Sequence, residues 1–173
     1  FDLSREFGLS DVPVLLAVGR FSRWKGFEDL IQACAILKKK AIAFTCLLVG
    51  KAFPAEQDYE LCLREQVRQC GLKNIIFAGW RDDVPAIMKS ASVLVLPSHG
   101  EPFGRVVIEA WACGLPVVAT NEGGPAEIIA DKVNGLLVRT GDAGQIADAI
   151  EMILRDRALA GRLREAGLQR ATD

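Results

Sequence analysis

Short stretches that are apolar at every position, rather than at every second one, most constrain this chain. Val12–Val18 reads VPVLLAV, and Val93–Pro97 is again apolar throughout. Such runs suit strands covered on both faces, as in a parallel sheet. Further strands are expected at Phe44–Val49, Asn74–Ala78, Pro116–Thr120 and Gly135–Arg139. Between them lie helical stretches. In Gly26–Lys39, for example, Phe27, Leu30, Ile31, Cys34 and Leu37 recur at helical spacing. Other helices are expected at Ala55–Cys70, Val84–Ser90, Gly104–Cys113, Pro125–Ala130, Ala143–Asp156 and Arg157–Gln169. Gly114 and Pro116 supply helix-ending chemistry after Cys113. Strands alternating with helices predict βαβ units and a mainly parallel six-stranded sheet in a three-layer α/β/α arrangement. No repeat, linker or low-complexity segment interrupts residues 1–173, so one domain is expected.

Composition narrows the function classes. Half of the 173 residues are hydrophobic, enough for a buried core, and the net charge is −1. That balance argues against broad electrostatic binding of nucleic acid. The apolar runs are far shorter than the roughly 20 residues of a membrane span. The chain begins at Phe1 without a signal-peptide pattern, and is expected to be a piece of a longer protein. Cys34, Cys46, Cys62, Cys70 and Cys113 form no C-x-x-C pair. Buried reduced thiols in a cytoplasmic setting are expected. With one histidine and no paired ligand spacing, no metal site is expected.

Ligands of open parallel sheets sit beyond the carboxyl ends of the strands. Unusual residues collect there: Gly19–Gly26 with Arg20, Arg23 and Lys25, then Gly50-Lys51, Gly79-Trp80-Arg81, Ser98–Glu101 and Asn121–Gly124. Each glycine is either plain turn chemistry or room for a ligand. The cations before the helix near Gly26 are either a solvated basic loop or a phosphate site. The loop is neither a Walker A nor a G-x-G-x-x-G sequence. His99, the sole histidine, reads as structural or solvated rather than catalytic. Trp24 and Trp80 either stack on a ligand or pack.

Glu109 is the one charge in Val106–Cys113. That helix is expected to be largely buried, and a buried carboxylate needs a partner. An Arg105–Glu109 pair has the weaker i, i+4 orientation, so a ligand hydroxyl pair or a backbone network is the better account. Glu101 lies eight residues earlier, in the loop entering the same helix. Cations and helix termini suit a diphosphate, and carboxylates suit sugar hydroxyls. A nucleotide-sugar carries both features.

The segment Glu101-Pro-Phe-Gly-Arg-Val-Val-Ile-Glu109, followed by Ala110-Trp-Ala-Cys-Gly114-Leu-Pro-Val-Val-Ala, resembles the E-x7-E signature of retaining glycosyltransferases of family 4. Gly19-Arg20-x4-Lys25-Gly26 resembles that family's donor-phosphate loop. Gly123-Gly124-Pro-x-Glu127 and Asn134-Gly135-Leu-Leu-Val are similar to it too. The resemblance covers almost the whole chain. It implies a GT-B enzyme of two Rossmann-like domains, of which this is the C-terminal, donor-binding half. The N-terminal acceptor domain is absent from this chain, which alone is expected to bind donor and catalyse little.

By the same resemblance, Arg20 and Lys25 bind the donor diphosphate, Glu109 the ribose hydroxyls and Glu101 the donor sugar. Backbone near Phe103, Gly104 and Arg105 lies at the phosphates, and Trp80 and Arg81 lie along the base. Arg20, Lys25 and Glu101 are the expected catalytic residues. Pro102 stands where glycine is common, and Arg105 where an aliphatic residue is usual. Arg105 either adds a phosphate contact or restricts the donor. No cofactor or metal is implied beyond a UDP-, GDP- or ADP-sugar substrate. The acceptor is a glycan, lipid or small molecule, as in polysaccharide biosynthesis. The expected compartment is cytoplasmic, with any contact at the inner face of the membrane made through the missing half. Two alternatives stand beside transfer: a GT-B nucleotide-sugar epimerase or phosphorylase, and a non-enzymatic α/β binding module.

Overall fold

The computed structural model describes residues 3–8 and 11–172. The span 1–173 read as one domain thus has residues 1, 2, 9, 10 and 173 outside the described residues. Six strands are present: β1 (Val14–Val18), β2 (Thr45–Val49), β3 (Ile75–Gly79), β4 (Val93–Leu96), β5 (Val117–Thr120) and β6 (Leu136–Val138). They form one sheet in the order β3-β2-β1-β4-β5-β6. Every pairing is parallel. The central strand β1 sets Leu16 beside Leu47 on one side and Leu94 on the other. The strand order therefore reverses between β1 and β4, and loops leaving those two strands diverge over a crevice.

The helices are α1 (Leu3–Phe7), α2 (Phe27–Lys39), α3 (Gln57–Gln69), α4 (Val84–Ser90), α5 (Arg105–Ala112), α6 (Gly124–Ile128), α7 (Ala143–Arg155) and α8 (Arg157–Thr172). They cover both faces of the sheet. On one face Leu30, Ile31, Leu37, Leu63, Ile146 and Ile150 pack against Leu15, Cys46, Leu48, Val93 and Val95. On the other, Leu3, Ile87, Met88, Val107 and Trp111 pack against Leu16, Leu47, Leu94 and Val117. A fully buried leucine or isoleucine, such as Leu30 or Ile31, contributes roughly 1.5–3 kcal/mol. This two-sided burial is why the strand sequences run apolar at every position. The edge strand β3 is half-buried along its length.

Trp111 fixes α5 from behind. Its indole Nε1–H donates to the Asn134 carbonyl at 2.9 Å. Gly167 of α8 lies so close that a Cβ there would sit 2.4 Å from the indole ring.

Several boundaries differ from those read in sequence. β1 starts at Val14 rather than Val12. Asn74 precedes β3, and its side-chain amide donates to the Phe44 carbonyl. The helix α1 was not anticipated. The five thiols are not all buried: Cys34 and Cys46 are, Cys62 is exposed, and Cys70 and Cys113 are half-buried. α3 buries only Tyr59 and Leu63, so Cys62 falls on its solvent side. The Cys34 thiol is pushed well above the ordinary cysteine range, by its hydrogen bond with Cys46 and then by burial.

Candidate functional site

The crevice between the β1 and β4 loops opens into a cleft of about 620 Å³. Arg20, Lys25, Trp80, Arg81, Glu101, Phe103, Arg105 and Glu109 all line it. They come from three separate stretches of sequence, gathered beyond the carboxyl ends of β1, β3 and β4. Of the residues singled out for ligand contact, Gly104 does not reach the wall. It is the N-cap of α5, in a left-handed conformation (φ +68) against Pro125.

Close loop packing builds the floor. Gly26 caps α2 at φ +65, and a Cβ there would stand 2.0 Å from the Pro97 carbonyl oxygen. The loop after β1 thus presses on the end of β4. Gly123 and Gly124 do the same for the loop after β5. Cβ atoms there would meet the Glu101 carbonyl oxygen at 2.1 Å and the Phe103 carbonyl carbon at 2.5 Å. Gly124 N–H donates to the Glu101 carbonyl at 2.8 Å. At these positions glycine serves the packing of loop on loop.

This packing brings Lys25 and Glu101 together across 76 positions of sequence. Lys25 Nζ lies 2.6 Å from Glu101 Oε2, with the two side chains only 14% and 10% exposed. The hydroxyl of fully buried Ser98 donates to the same Glu101 oxygen at 3.3 Å. The Ser98 carbonyl in turn accepts from the Thr120 hydroxyl at 2.5 Å. Lys25 Nζ also stands 4.3 Å from the centre of a Trp24 ring. Removing one partner of so enclosed an ion pair leaves a charge without compensation.

The other cleft cations differ in how they are held. Arg20 is 3.6 Å from Glu56 and stacks on Phe53 at 4.8 Å. Arg81 binds Asp83 through two nitrogens and Glu6 through a third. Asp83 first, then Glu6, holds the Arg81 guanidinium above its ordinary range, and Arg81 holds the Asp83 carboxyl below its own. Arg105 is the first residue of α5 and is exposed. Its side chain has no ion pair or hydrogen bond among the described residues. A helix N-terminus is an unfavourable place for a cation, and an anion entering the cleft would offset that cost.

Glu109 corrects the expectation of a buried carboxylate. α5 buries Val107, Ala110 and Trp111, while Ile108 and Glu109 are exposed. The helix has one face on the sheet and the other on the cleft, and Glu109 remains solvated there. No side-chain partner holds it among the described residues, Arg105 included. Trp80 and Phe103 stand at the mouth, 65% and 77% exposed. The Trp80 indole N–H donates to Asp82 at 3.2 Å.

Arg23 leaves the cleft and lies over the Tyr59 ring at 5.5 Å. His99 pairs with Asp29 at 2.7 Å and does not line the wall. Sequence reading passed over Phe53, whose signal was an exposed aromatic just beyond β2. It also gave Ser98 no role, although a serine ends the apolar run of β4.

The described residues thus place cations, an open carboxylate and a helix N-terminus in one crevice at the strand-order reversal. The family profile of glycosyl transferases group 1 matches residues 2–170. The chain belongs to that family. Among its group 1 relatives is the lipopolysaccharide core biosynthesis glycosyltransferase LpsE of Rhizobium meliloti strain 1021. It is 39% identical over 159 residues, which are 91% of this chain and 44% of LpsE. Anabaena HepE, solved with UDP and glucose, superposes with a TM-score of 0.93 at 34% identity, over 98% of this chain and 46% of HepE. HepE has also been solved with UDP-glucose. The C-terminal domain of LpcC, a group 1 protein from Francisella tularensis, superposes at TM-score 0.83 and 32% identity. That match covers 93% of this chain and 86% of the solved domain. The chain spans less than half the length of LpsE or HepE, and its fold is the Rossmann-like half of a GT-B architecture. No helix among the described residues is long and apolar enough to cross a membrane.

Proposed function

We propose that this chain is the donor-binding half of a retaining glycosyltransferase. The protein transfers a sugar from a nucleoside-diphosphate sugar to a glycan, lipid or small-molecule acceptor held by its other half. The observation that carries this is the cleft at the β1/β4 reversal, where Arg20, Lys25 and Arg105 face Glu101 and Glu109. The UDP and UDP-glucose bound in HepE support a nucleotide-sugar as ligand.

The roles follow from the chemistry. Arg20, Lys25, Arg105 and the first N–H groups of α5 face the diphosphate. Glu109, open to the cleft, accepts hydrogen bonds from two ribose hydroxyls, and Glu101 accepts them from the sugar. Trp80 offers a flat face to the base at the mouth. In the transfer, the bond from the sugar C1 to the diphosphate oxygen breaks and its electron pair stays on that oxygen. The acceptor oxygen bonds to C1 on the same face, and its proton passes to the departing phosphate. The cations stabilise the charge that develops there, within a partly desolvated site. The name of LpsE favours polysaccharide biosynthesis as the setting. The cytoplasm, where a free exposed thiol such as Cys62 stays reduced, is the proposed compartment.

A thermal-shift panel of UDP-, GDP- and ADP-sugars on this chain and on Glu109→Ala tests the reading. A ligand at about 100 times its Kd adds roughly 2.7 kcal/mol. One nucleotide class should stabilise the chain and fail to stabilise the variant. No shift with any class overturns the proposal. Product analysis of the full-length protein separates transfer from epimerisation and phosphorolysis.

A further inference from the structure

We infer that Arg81 is a positioning residue: it clasps the loop after β3 to α1, and so holds Trp80 at the cleft mouth, without itself binding ligand. This rests on the donor-site reading above. Arg81 lines the cleft, yet its donors are engaged elsewhere. Nε and Nη2 donate to the two Asp83 oxygens at 2.8 and 2.7 Å, and Nη1 donates to Glu6 at 3.0 Å. The guanidinium also stands 5.5 Å from the centre of the Phe7 ring. Two carboxylates at contact distance offset its single charge, which leaves little to draw in an anion.

Asp83 shows what the clasp displaces. It is the N-cap of α4, where an aspartate ordinarily accepts from a helix N–H. Its side chain makes no such bond, and both oxygens go to Arg81. Glu6 lies 75 positions away in sequence, on a helix that Leu3 anchors in the same core layer as Leu16 and Trp111. The loop after β3 needs such a tie. Gly26, Gly123 and Gly124 lock the neighbouring loops by close backbone packing, whereas a Cβ at Gly79 would meet nothing within 4 Å. Trp80 follows directly and is 65% exposed. A side chain so open keeps its place through the backbone that carries it, and the Arg81 fork fixes that backbone.

The test is a double-mutant cycle, read by calorimetric titration with UDP, GDP and ADP. It compares the unaltered chain, Glu6→Gln, Arg81→Gln and the two combined. Glu6 has no place in the cleft wall, so its loss removes no ligand contact. Glu6→Gln should weaken binding of the preferred nucleotide about two- to fivefold, the range of a partly exposed ion pair. Arg81→Gln should weaken it about tenfold, because the Asp83 arm goes too. Adding Glu6→Gln to Arg81→Gln should cost nothing further. Arg81→Lys keeps the charge and loses the fork, so it should bind as poorly as Arg81→Gln. A clasp that merely stabilised the fold would leave Kd unmoved in a chain that stays folded, and urea melts show which variants do.

Unchanged or tighter affinity in Glu6→Gln overturns the inference, and this arm stands even where Arg81→Gln fails to fold. A full further loss in the combined variant also overturns it, as does recovery of affinity in Arg81→Lys, the mark of a charge in direct contact with ligand. Binding of none of the three nucleotides by the unaltered chain fells the donor-site reading itself, and this inference with it.

Discussion

The two ends of the sheet put the same residue types to opposite uses. At the amino end, Lys38 lies in the last turn of α2 and donates to the Gly71 carbonyl just past α3 at 2.8 Å. A cation among helix C-termini is where the dipole favours it. At the carboxyl end, Arg105 occupies the first turn of α5, where the dipole opposes it, and no acid answers it among the described residues. Glycines divide likewise. A Cβ at Gly71 would meet only the tip of the Lys38 side chain, at 3.3 Å, whereas one at Gly26 would run into backbone. One end places its cation where the helix dipole favours it, and the other combines tight loop packing with an Arg105 charge that the helix dipole opposes.

The largest effect should come from the glycines. Both Gly26 and Gly71 have positive φ, which costs an alanine roughly 1–2 kcal/mol. Gly26→Ala adds a backbone clash and should lose about 3 kcal/mol or more in urea unfolding. Gly71→Ala should lose only the conformational part. Equal losses would break the contrast.

The cations come next. Arg105→Met should weaken nucleotide binding about tenfold, the scale of one charged hydrogen bond. It should also raise stability by about 0.3–1 kcal/mol through relief at the helix terminus. Lys38→Met should leave nucleotide affinity unchanged and lower stability by a few tenths of a kcal/mol. Titration calorimetry and urea melts on both variants check the opposite signs.

The smallest effect concerns pH. The Tyr59 phenol, hydrogen-bonded to Glu28 at the start of α2, is pushed far above its ordinary range by burial first and by Glu28 second. A group whose pKa is raised on folding contributes stability below its unfolded value, near 10 for tyrosine, and loses it as pH climbs beyond. Unfolding between pH 8 and pH 11 should therefore show a steeper fall in the unaltered chain than in Tyr59→Phe. Parallel curves would remove Tyr59 from the balance.

The sheet was legible because burial on both faces leaves its mark on every residue of a strand. Leu15 and Leu16 face opposite layers and are both apolar. The rim was legible because glycines and charges interrupt those runs at their ends. The Lys25–Glu101 contact was not, since 76 residues separate its partners and no local pattern encodes the meeting. Glu109 was misjudged for a related reason. Its neighbours are apolar on all sides in sequence, but on α5 they divide between the sheet and an open cleft. The Ser98 hydroxyl acquires its role only once the β5 and β1 loops have closed around Glu101.

Trp111 and its neighbours also set an order of events. The loop at Gly19 is made early, yet α5 is held from behind by Asn134 and by Gly167 of α8. A chain emerging during synthesis has both members of the ion pair well before it has α8. The wall that carries Glu109 has its full backing only after Gly167 has been added. Nicking or shortening α8 should then silence the cleft from a distance, leaving every residue that lines it untouched.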